Sequence, residues 1–72
     1  MAEAADTRLQ TIADQIRARR RDLGLTQAQL AQLAGTSERL VHTIERAKPT
    51  TRVDKLLDVL DVLGLTMTVG PK

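Results

Sequence analysis

Two short helical patterns in this chain are separated by an unusually brief connection. Thr26 and Gln29 have the spacing of a reciprocal capping box, which begins a helix, and Gly35 ends that helix. Ser37 supplies an N-cap for the next helix only two residues after the glycine. The inward positions of both helices are apolar: Leu30, Leu33, Ala34, Val41 and Ile44. Because the connection is too tight for an antiparallel pair, the pattern predicts two helices that cross at a large angle.

Helical patterns also lie on both sides of this pair. Thr7 and Gln10 have capping-box spacing and begin a first helix that Gly24 ends. Its inward stripe comprises Leu9, Ile12, Ala13, Ile16 and Leu23. The third helix closes at Lys48-Pro49, and a fourth is predicted from Arg52 to Leu63. The fourth helix has an apolar inner face of Val53, Leu56, Leu57, Leu60 and Leu63 and an acidic outer face of Asp54, Asp58 and Asp61.

The last segment changes from helical to alternating periodicity. Apolar and hydroxyl side chains alternate over Leu65, Thr66, Met67, Thr68 and Val69, which predicts a β-strand. Because one strand cannot satisfy its own backbone, the simplest partner is the same segment of a second copy; the alternative is a disordered tail. The predicted organisation is a flexible tail over 1–6, a helical domain over 7–64, a dimerisation strand over 65–70 and a tail over 71–72.

Size and composition restrict both the stability and the chemistry of the chain. A domain of 72 residues buries only ~60% of its unfolded surface, and this one has no aromatic residue and no cysteine. Oligomerisation is the remaining way to add stability, because no disulfide or thiolate zinc site can form. The single histidine argues against a metal site, and we expect no cofactor. Asp54 and Asp58 have no nucleophile or histidine near them in sequence, so we expect no enzyme.

The charge distribution allows a polyanionic partner. Eleven Lys and Arg against nine Asp and Glu give a net charge of +2, and the basic residues are densest at Arg17, Arg19, Arg20 and Arg21. This cluster fits a polyanion and fits a solvated helix end equally well. Since no apolar run is long enough to span a membrane and no signal-peptide pattern is present, we expect a cytoplasmic protein without a membrane partner.

The stretch LGLTQAQLAQLAGTSERLVHTIERAKP resembles the helix-turn-helix domain of the phage-repressor/Cro (XRE-like) family. The resemblance covers residues 9–65 and implies a mainly α fold of four to five helices that binds double-stranded DNA. The chain length and the ending LGLTMTV are similar to the small HipB-like antitoxins. That similarity implies a nucleoid-associated homodimer, joined by a C-terminal β-strand, that represses its own operon and binds a HipA-like Ser/Thr kinase toxin.

In such a domain the third helix lies in the major groove, with its first turns toward the base edges. The outward residues at the positions where the family reads bases are Glu38, Arg39, His42 and Thr43. Arg39 can donate two hydrogen bonds to guanine, while Glu38 either accepts one from cytosine or orients Arg39. His42 contacts the groove or a phosphate, or is simply solvated. Leu40 contacts either a thymine methyl group or the fourth helix, and we favour the packing interpretation.

Phosphate contacts are expected around the same helix. Gln27 matches the family's phosphate-binding glutamine at the start of the second helix, where backbone N–H groups are also free. The further candidates are Thr36, Ser37, Arg46 and Lys48. Arg17 and Arg21 of the first helix are weaker candidates, because a solvated helix face explains them as well.

Two charged residues fall on apolar stripes. Arg20 lies on the inward stripe of the first helix, and Glu45 is next to Ile44 on the third. A charge in such a position is costly unless it is paired. The resemblance to phage repressors implies that Arg20 and Glu45 form a structural ion pair between the two helices.

The competing function is that of a protein-interaction module with a helix-turn-helix shape, which acts through a protein partner with little DNA binding. Val59 and Val62 lie beside the main stripe of the fourth helix, where they belong either to the core or to an interface. A DNA-binding dimer instead predicts an inverted-repeat operator whose half-site centres are about one helical turn, ~34 Å, apart or a multiple of it.

Overall fold

The computed structural model describes residues 6–49 and 52–72, and this part of the chain contains four α-helices. In chain order they are α1 (Thr7–Asp22), α2 (Gln27–Ala34), α3 (Glu38–Glu45) and α4 (Val53–Leu63). Helix α2 packs against α3 and α4, and α1 packs against the same two helices. The prediction of a mainly helical fold is confirmed. Residues 1–5 of the predicted N-terminal tail lie outside the described residues.

Helices α1, α2 and α3 begin after residues whose side chains accept hydrogen bonds from the first turn, whereas Arg52 before α4 makes no such side-chain bond. The capping box of α2 is confirmed: the Thr26 hydroxyl accepts from the N–H of Gln29 at 3.0 Å, and the Gln29 side chain accepts from the N–H of Thr26 at 2.8 Å. Ser37 caps α3 by accepting from the N–H of Leu40. The capping box predicted at Thr7 is wrong, because Asp6 takes the N-cap position and accepts from the N–H of Arg8 at 2.9 Å.

Helix α3 ends earlier than the sequence predicted. Its last residue is Glu45, three positions before Lys48-Pro49, and Ala47 then adopts a left-handed conformation with φ of 59°. The N–H groups of Ala47 and Lys48 donate to the carbonyls of Ile44 and Thr43, at 3.0 and 3.2 Å. These bonds satisfy the carbonyls at the end of the helix in a Schellman arrangement, which normally has glycine at the left-handed position. An alanine therefore occupies a conformation that its Cβ atom disfavours.

Replacing Ala47 by glycine is expected to stabilise the domain by about 0.5–1 kcal/mol, because glycine adopts positive φ without steric cost. The matched control is Ala18→Gly, at a solvent-exposed position in the middle of α1, which should destabilise the domain by about 1 kcal/mol. Urea titration followed by circular dichroism measures both changes. A loss of stability in Ala47→Gly as large as that in Ala18→Gly would show that Ala47 is not strained.

The core is built from aliphatic side chains of all four helices. Its buried members are Ala13, Ile16, Leu30, Ala31, Ala34, Val41, Ile44, Val59, Leu60 and Leu63. On α4 the packed residues are Leu56, Val59, Leu60 and Leu63, which follow the i, i+3, i+4, i+7 spacing of one helix face. Val59 is fully buried and Val62 packs against the core, so both belong to the core. Leu40 is half-buried and also packs against the core.

Four residues predicted to face inward are exposed instead: Leu23, Leu33, Val53 and Leu57. Leu23 follows the last residue of α1, so it has left the helical stripe. Helix α2 packs through Leu30, Ala31 and Ala34. Leu33 lies outside this contact face and is 62% exposed. Leu57 lies one position off the packed face of α4, and Val53 is the first residue of that helix.

The C-terminal segment forms no strand within one chain. Residues 65–72 have no regular secondary structure, although Leu65 packs against the core and its N–H donates to the carbonyl of Leu60 at 2.9 Å. The prediction of a strand over 65–70 is therefore not supported in the single chain, since the described residues contain no strand. The apolar side chains that follow are exposed, with Val69 at 91%.

Candidate nucleic-acid interface

A concave surface joins the start of α2 to the outer face of α3. It is lined by Gln27, Glu38, Arg39 and His42, and we call these four residues the recognition concavity. The three α3 residues are exposed, and Gln27 is half-buried. The tight turn at Gly35, with φ of 69°, and the Ser37 cap place the first turn of α3 beside the first turn of α2. The structure thus brings three predicted base-reading residues together with one predicted phosphate-binding residue.

The fourth base-reading candidate lies on a neighbouring depression. Thr43 is half-buried there and shares the surface with two predicted phosphate contacts, Thr36 and Ser37. Arg39 borders both this depression and the recognition concavity, so it stands between the two groups. A ligand that follows α3 would therefore contact both surfaces through Arg39.

The structure also places Arg52 on this second depression, a residue that the sequence did not indicate. Arg52 is the N-cap of α4, and its guanidinium pairs with Asp54 at 3.2 Å, which raises the pKa of Arg52 through the hydrogen bond and the neighbouring charge. The only signal was its place as the first residue of the predicted fourth helix. That position says nothing about the α3 surface, which is close to Arg52 only in the folded chain.

Arg46 and Lys48 are not part of these two surfaces. Both are exposed just beyond the end of α3. Lys48 borders a separate apolar depression that Leu9, Ile12 and Leu56 also line, between α1 and α4. The structure therefore brings neither cation into the recognition concavity.

The arginine-rich end of α1 divides into side chains with different partners. Arg17 pairs with Asp14 one turn earlier, at 2.8 Å. The Nε of Arg19 donates to the carbonyl of Leu63 at 2.8 Å and so ties α1 to the last turn of α4. Arg20 points inward, while Arg21 is exposed. The dense basic run is therefore not one continuous cationic surface.

Arg20 and Glu45 form a bidentate ion pair between α1 and α3. The Nε and Nη2 atoms of Arg20 donate to Oε2 and Oε1 of Glu45 at 2.6 and 3.0 Å, and Nη1 donates to the carbonyl of Leu25 at 2.8 Å. The side chain of Glu45 is only 3% exposed and that of Arg20 11%. Gln27 adds a third hydrogen bond to the carboxylate, from Nε2 to Oε1 at 3.1 Å.

These contacts keep Glu45 ionised. Burial alone would raise the pKa of the Glu45 carboxyl, but the hydrogen bonds from Arg20 and Gln27 and the charges of Arg20 and Arg17 outweigh burial and lower it. The hydrogen bond to Glu45 raises the pKa of Arg20, and burial opposes that change. Both partners are thus charged in the folded protein throughout the neutral range.

No group of three or more metal-ligating side chains occurs among residues 6–49 and 52–72. Over the same residues, none of the helices has the length and apolar character needed to cross a bilayer.

Comparison with known proteins identifies the fold family. A model of the helix-turn-helix domain family matches residues 11–69. The chain belongs to the helix-turn-helix family. In this helix-turn-helix domain, α2 and α3 are the two helices of the motif, and residues 65–69 fall within the matched range.

Similar proteins are named as regulators. The helix-turn-helix chain is 35% identical over 65 residues to an uncharacterized HTH-type transcriptional regulator, y4mF, of Sinorhizobium fredii, and the match covers 86% of each protein. The crystal structure of an HTH_3 family transcriptional regulator from Vibrio cholerae superposes with a TM-score of 0.70 at 28% identity, over 81% of this chain. The match covers 33% of the Vibrio chain, so our chain spans about a third of that protein.

A further solved structure, called MDT protein, has the same fold over nearly its whole length. It superposes with a TM-score of 0.76 and covers 99% of this chain and 97% of the other, at 21% identity. The four-helix helix-turn-helix arrangement together with the C-terminal segment thus occurs in a chain of similar length.

Proposed function

We propose that this protein is a sequence-specific DNA-binding transcriptional repressor. The observation that carries the proposal is the recognition concavity, where α3 presents donors and an acceptor at the face that enters the major groove in this family. The side chain of Arg39 makes no hydrogen bond or ion pair with the described residues, so its five donors are available to guanine. The similarity to proteins named as transcriptional regulators supports the same function.

The roles of the other residues follow from their positions on the two helices. Glu38 accepts from a base amino group or orients Arg39, and His42 and Thr43 contact the groove further along α3. Gln27, Thr36 and Ser37 contact phosphates beside it, and Arg46 and Lys48 contact the flanking backbone. We assign no catalytic step to any of these residues.

We further propose that the protein acts as a homodimer joined by residues 65–69. The support is physical: Met67 and Val69 are exposed apolar side chains, and the alternating segment that carries them is not paired with another part of the described chain. Pairing of two such segments as an antiparallel ribbon would cover both. A twofold dimer places its two α3 helices on an inverted repeat with half-site centres about 34 Å apart, or a multiple of that distance.

The biological setting that we propose is that of a small antitoxin. The similarity of the LGLTMTV segment to the small HipB-like antitoxins supports a protein that represses its own operon, binds a HipA-like kinase toxin and stays in the cytoplasm with the nucleoid. The test of the toxin role is complex formation with a kinase encoded in the same operon, measured by size-exclusion chromatography. Separate elution of the two purified proteins would contradict it.

The decisive experiment on DNA binding is selection of duplexes from a random pool, followed by titration of the enriched duplex at two salt concentrations. We expect a selected inverted repeat, and an affinity that falls about 10³- to 10⁵-fold between ~50 and ~200 mM salt if the dimer makes six to ten phosphate contacts. A scrambled duplex of the same length is the control. Sedimentation of the free protein should give the mass of a dimer.

The alternative function is a protein-interaction module, and one observation favours it. Leu33, on α2, the first helix of the motif, is 62% exposed and borders a groove with Val62 and the carboxylates of Asp58 and Asp61. A large exposed apolar side chain in such a groove is typical of a protein contact. Weak binding to every duplex, with no enrichment and little salt dependence, would replace the repressor by this module.

A further inference from the structure

The Glu45 carboxylate connects the buried framework of the domain to its exposed face. Arg20 of α1 donates to both of its oxygens, and the amide Nε2 of Gln27 donates to Oε1 at 3.1 Å. Gln27 at the same time lines the recognition concavity with Glu38, Arg39 and His42. One carboxylate therefore holds a framework residue on one side and an interface residue on the other.

The chemistry of the contact determines which way the Gln27 amide lies. An ionised carboxylate accepts hydrogen bonds and donates none, so the amide nitrogen must face Glu45 and the carbonyl oxygen must face away. A terminal amide torsion has no strong preference of its own and is broad in the absence of such a partner. Without Glu45, the Gln27 amide would therefore adopt several orientations at the edge of the recognition concavity.

We infer that Glu45 is a positioning residue for the DNA contact made by Gln27. The inference rests on the proposed DNA-binding function. Arg20 fixes the carboxylate, the carboxylate fixes the amide, and the amide reaches DNA with its carbonyl and its second N–H already oriented. The ordering of Gln27 is then complete before DNA arrives, which reduces the entropy lost on binding. The ion pair thus acts on affinity as well as on stability.

A double-mutant cycle on DNA affinity tests this inference. The proteins are the wild type, Glu45→Ala, Gln27→Ala and the double variant, titrated with the duplex enriched by the wild type. The temperature is one at which circular dichroism shows each protein to be folded. We expect Glu45→Ala to weaken binding about tenfold in the wild-type background, the loss of one well-formed hydrogen bond, and less than about twofold in the Gln27→Ala background.

Two controls separate positioning from charge and from folding. Removing Glu45 also removes a negative charge, and this loss of charge by itself strengthens DNA binding. Asp14→Ala is therefore the control, because it makes the same change of charge at an exposed site on α1. If Glu45→Ala does not fold, Glu45→Gln takes its place: the neutral amide can still accept from Arg20, but it no longer dictates the orientation of Gln27, so the same coupling is expected at smaller size.

The outcomes distinguish the inference from the function on which it rests. Equal loss of affinity from the Glu45 substitution in both backgrounds, or no loss in either, would overturn the positioning role while DNA binding stands. If the wild type enriches no duplex, the DNA-binding function fails and the positioning role fails with it. A loss confined to the background that retains Gln27 supports the inference.

Discussion

Replacing Arg20 by methionine is expected to lower the free energy of unfolding by about 3 kcal/mol, because the variant leaves the buried Glu45 carboxylate without its cation. Methionine keeps the aliphatic length of the side chain, so the change removes the charge and three hydrogen bonds, to Glu45 and to the carbonyl of Leu25. A domain of this size has a total stability of roughly 4–11 kcal/mol. The melting temperature should therefore fall by on the order of 15 °C.

The matched control for this substitution is Arg21→Met, one position further along α1. Arg21 is exposed, so removing its charge should change stability by less than about 0.5 kcal/mol. Thermal melts of both variants, followed by circular dichroism, give the comparison. Equal melting temperatures for the wild type and Arg20→Met would show that the ion pair does not stabilise the fold.

The same pair gives the wild type a pH dependence on the acid side. The pKa of Glu45 is lower in the folded chain than its unfolded value of about 4.3, so between those two pKa values the unfolded state binds more protons. The stability contributed by Glu45 is complete above that unfolded pKa and is lost as pH falls through the folded pKa. In Arg20→Met the buried carboxyl lacks its cation and takes up a proton more readily, so the gap between the two proteins should be largest near neutral pH and should narrow as the pH falls.

A charged residue on an apolar helix stripe was informative in the sequence, because it interrupted the pattern of buried positions. Arg20 broke an otherwise apolar stripe, and burial of a charge requires a partner, so the position itself indicated a structural role. The capping box of α2 and the end of that helix at Gly35 were also predictable from the sequence, because each depends only on residues within four positions of one another. Local hydrogen-bond rules fix these features before any tertiary contact forms.

Periodicity alone did not determine whether the apolar side chains at the margins of each helical stripe are buried or exposed. Leu33 and Leu57 fit a helical pattern, yet the packed face is centred on Ala31 in α2 and on Val59 in α4. The orientation of a helix about its axis depends on its neighbours, so an eight-residue helix can turn one leucine outward at little cost. The C-terminal alternation has the same limit, because a strand needs a second segment to pair with and the alternation does not show whether there is one.

The candidate site was partly predictable. The outward residues of α3 follow from the helix phase that Val41 and Ile44 establish, which is why Glu38, Arg39 and His42 do lie together. Gln27 and Glu45 are 18 residues apart, and no spacing rule connects them. Their contact, like the approach of Arg52 to the α3 surface, arises only when α2, α3 and α4 pack together.

Replacing Arg39 by alanine is expected to remove most of the sequence preference for the selected duplex. If its guanidinium donates in bidentate fashion to a guanine, each half-site should lose about 1–3 kcal/mol of discrimination at that base pair. The loss should appear as nearly equal affinities for the selected duplex and for duplexes substituted at the guanine. Competition titrations with one substituted duplex for each base pair of the half-site measure this directly.

Three further substitutions give this result its meaning. Arg39→Lys keeps the positive charge but lacks the planar fork, so it should retain the salt dependence while still losing discrimination. Arg46→Ala, at a proposed phosphate contact, should weaken binding to all duplexes alike. It should also reduce the slope of log affinity against log salt concentration by about one per contact. Arg8 pairs with Asp6 at the start of α1, so Arg8→Ala should change neither the base preference nor the salt dependence. If Arg39→Ala weakens every duplex by one factor and keeps the base preference, Arg39 contacts the phosphate backbone, and the specificity of α3 must come from Glu38, His42 or Thr43.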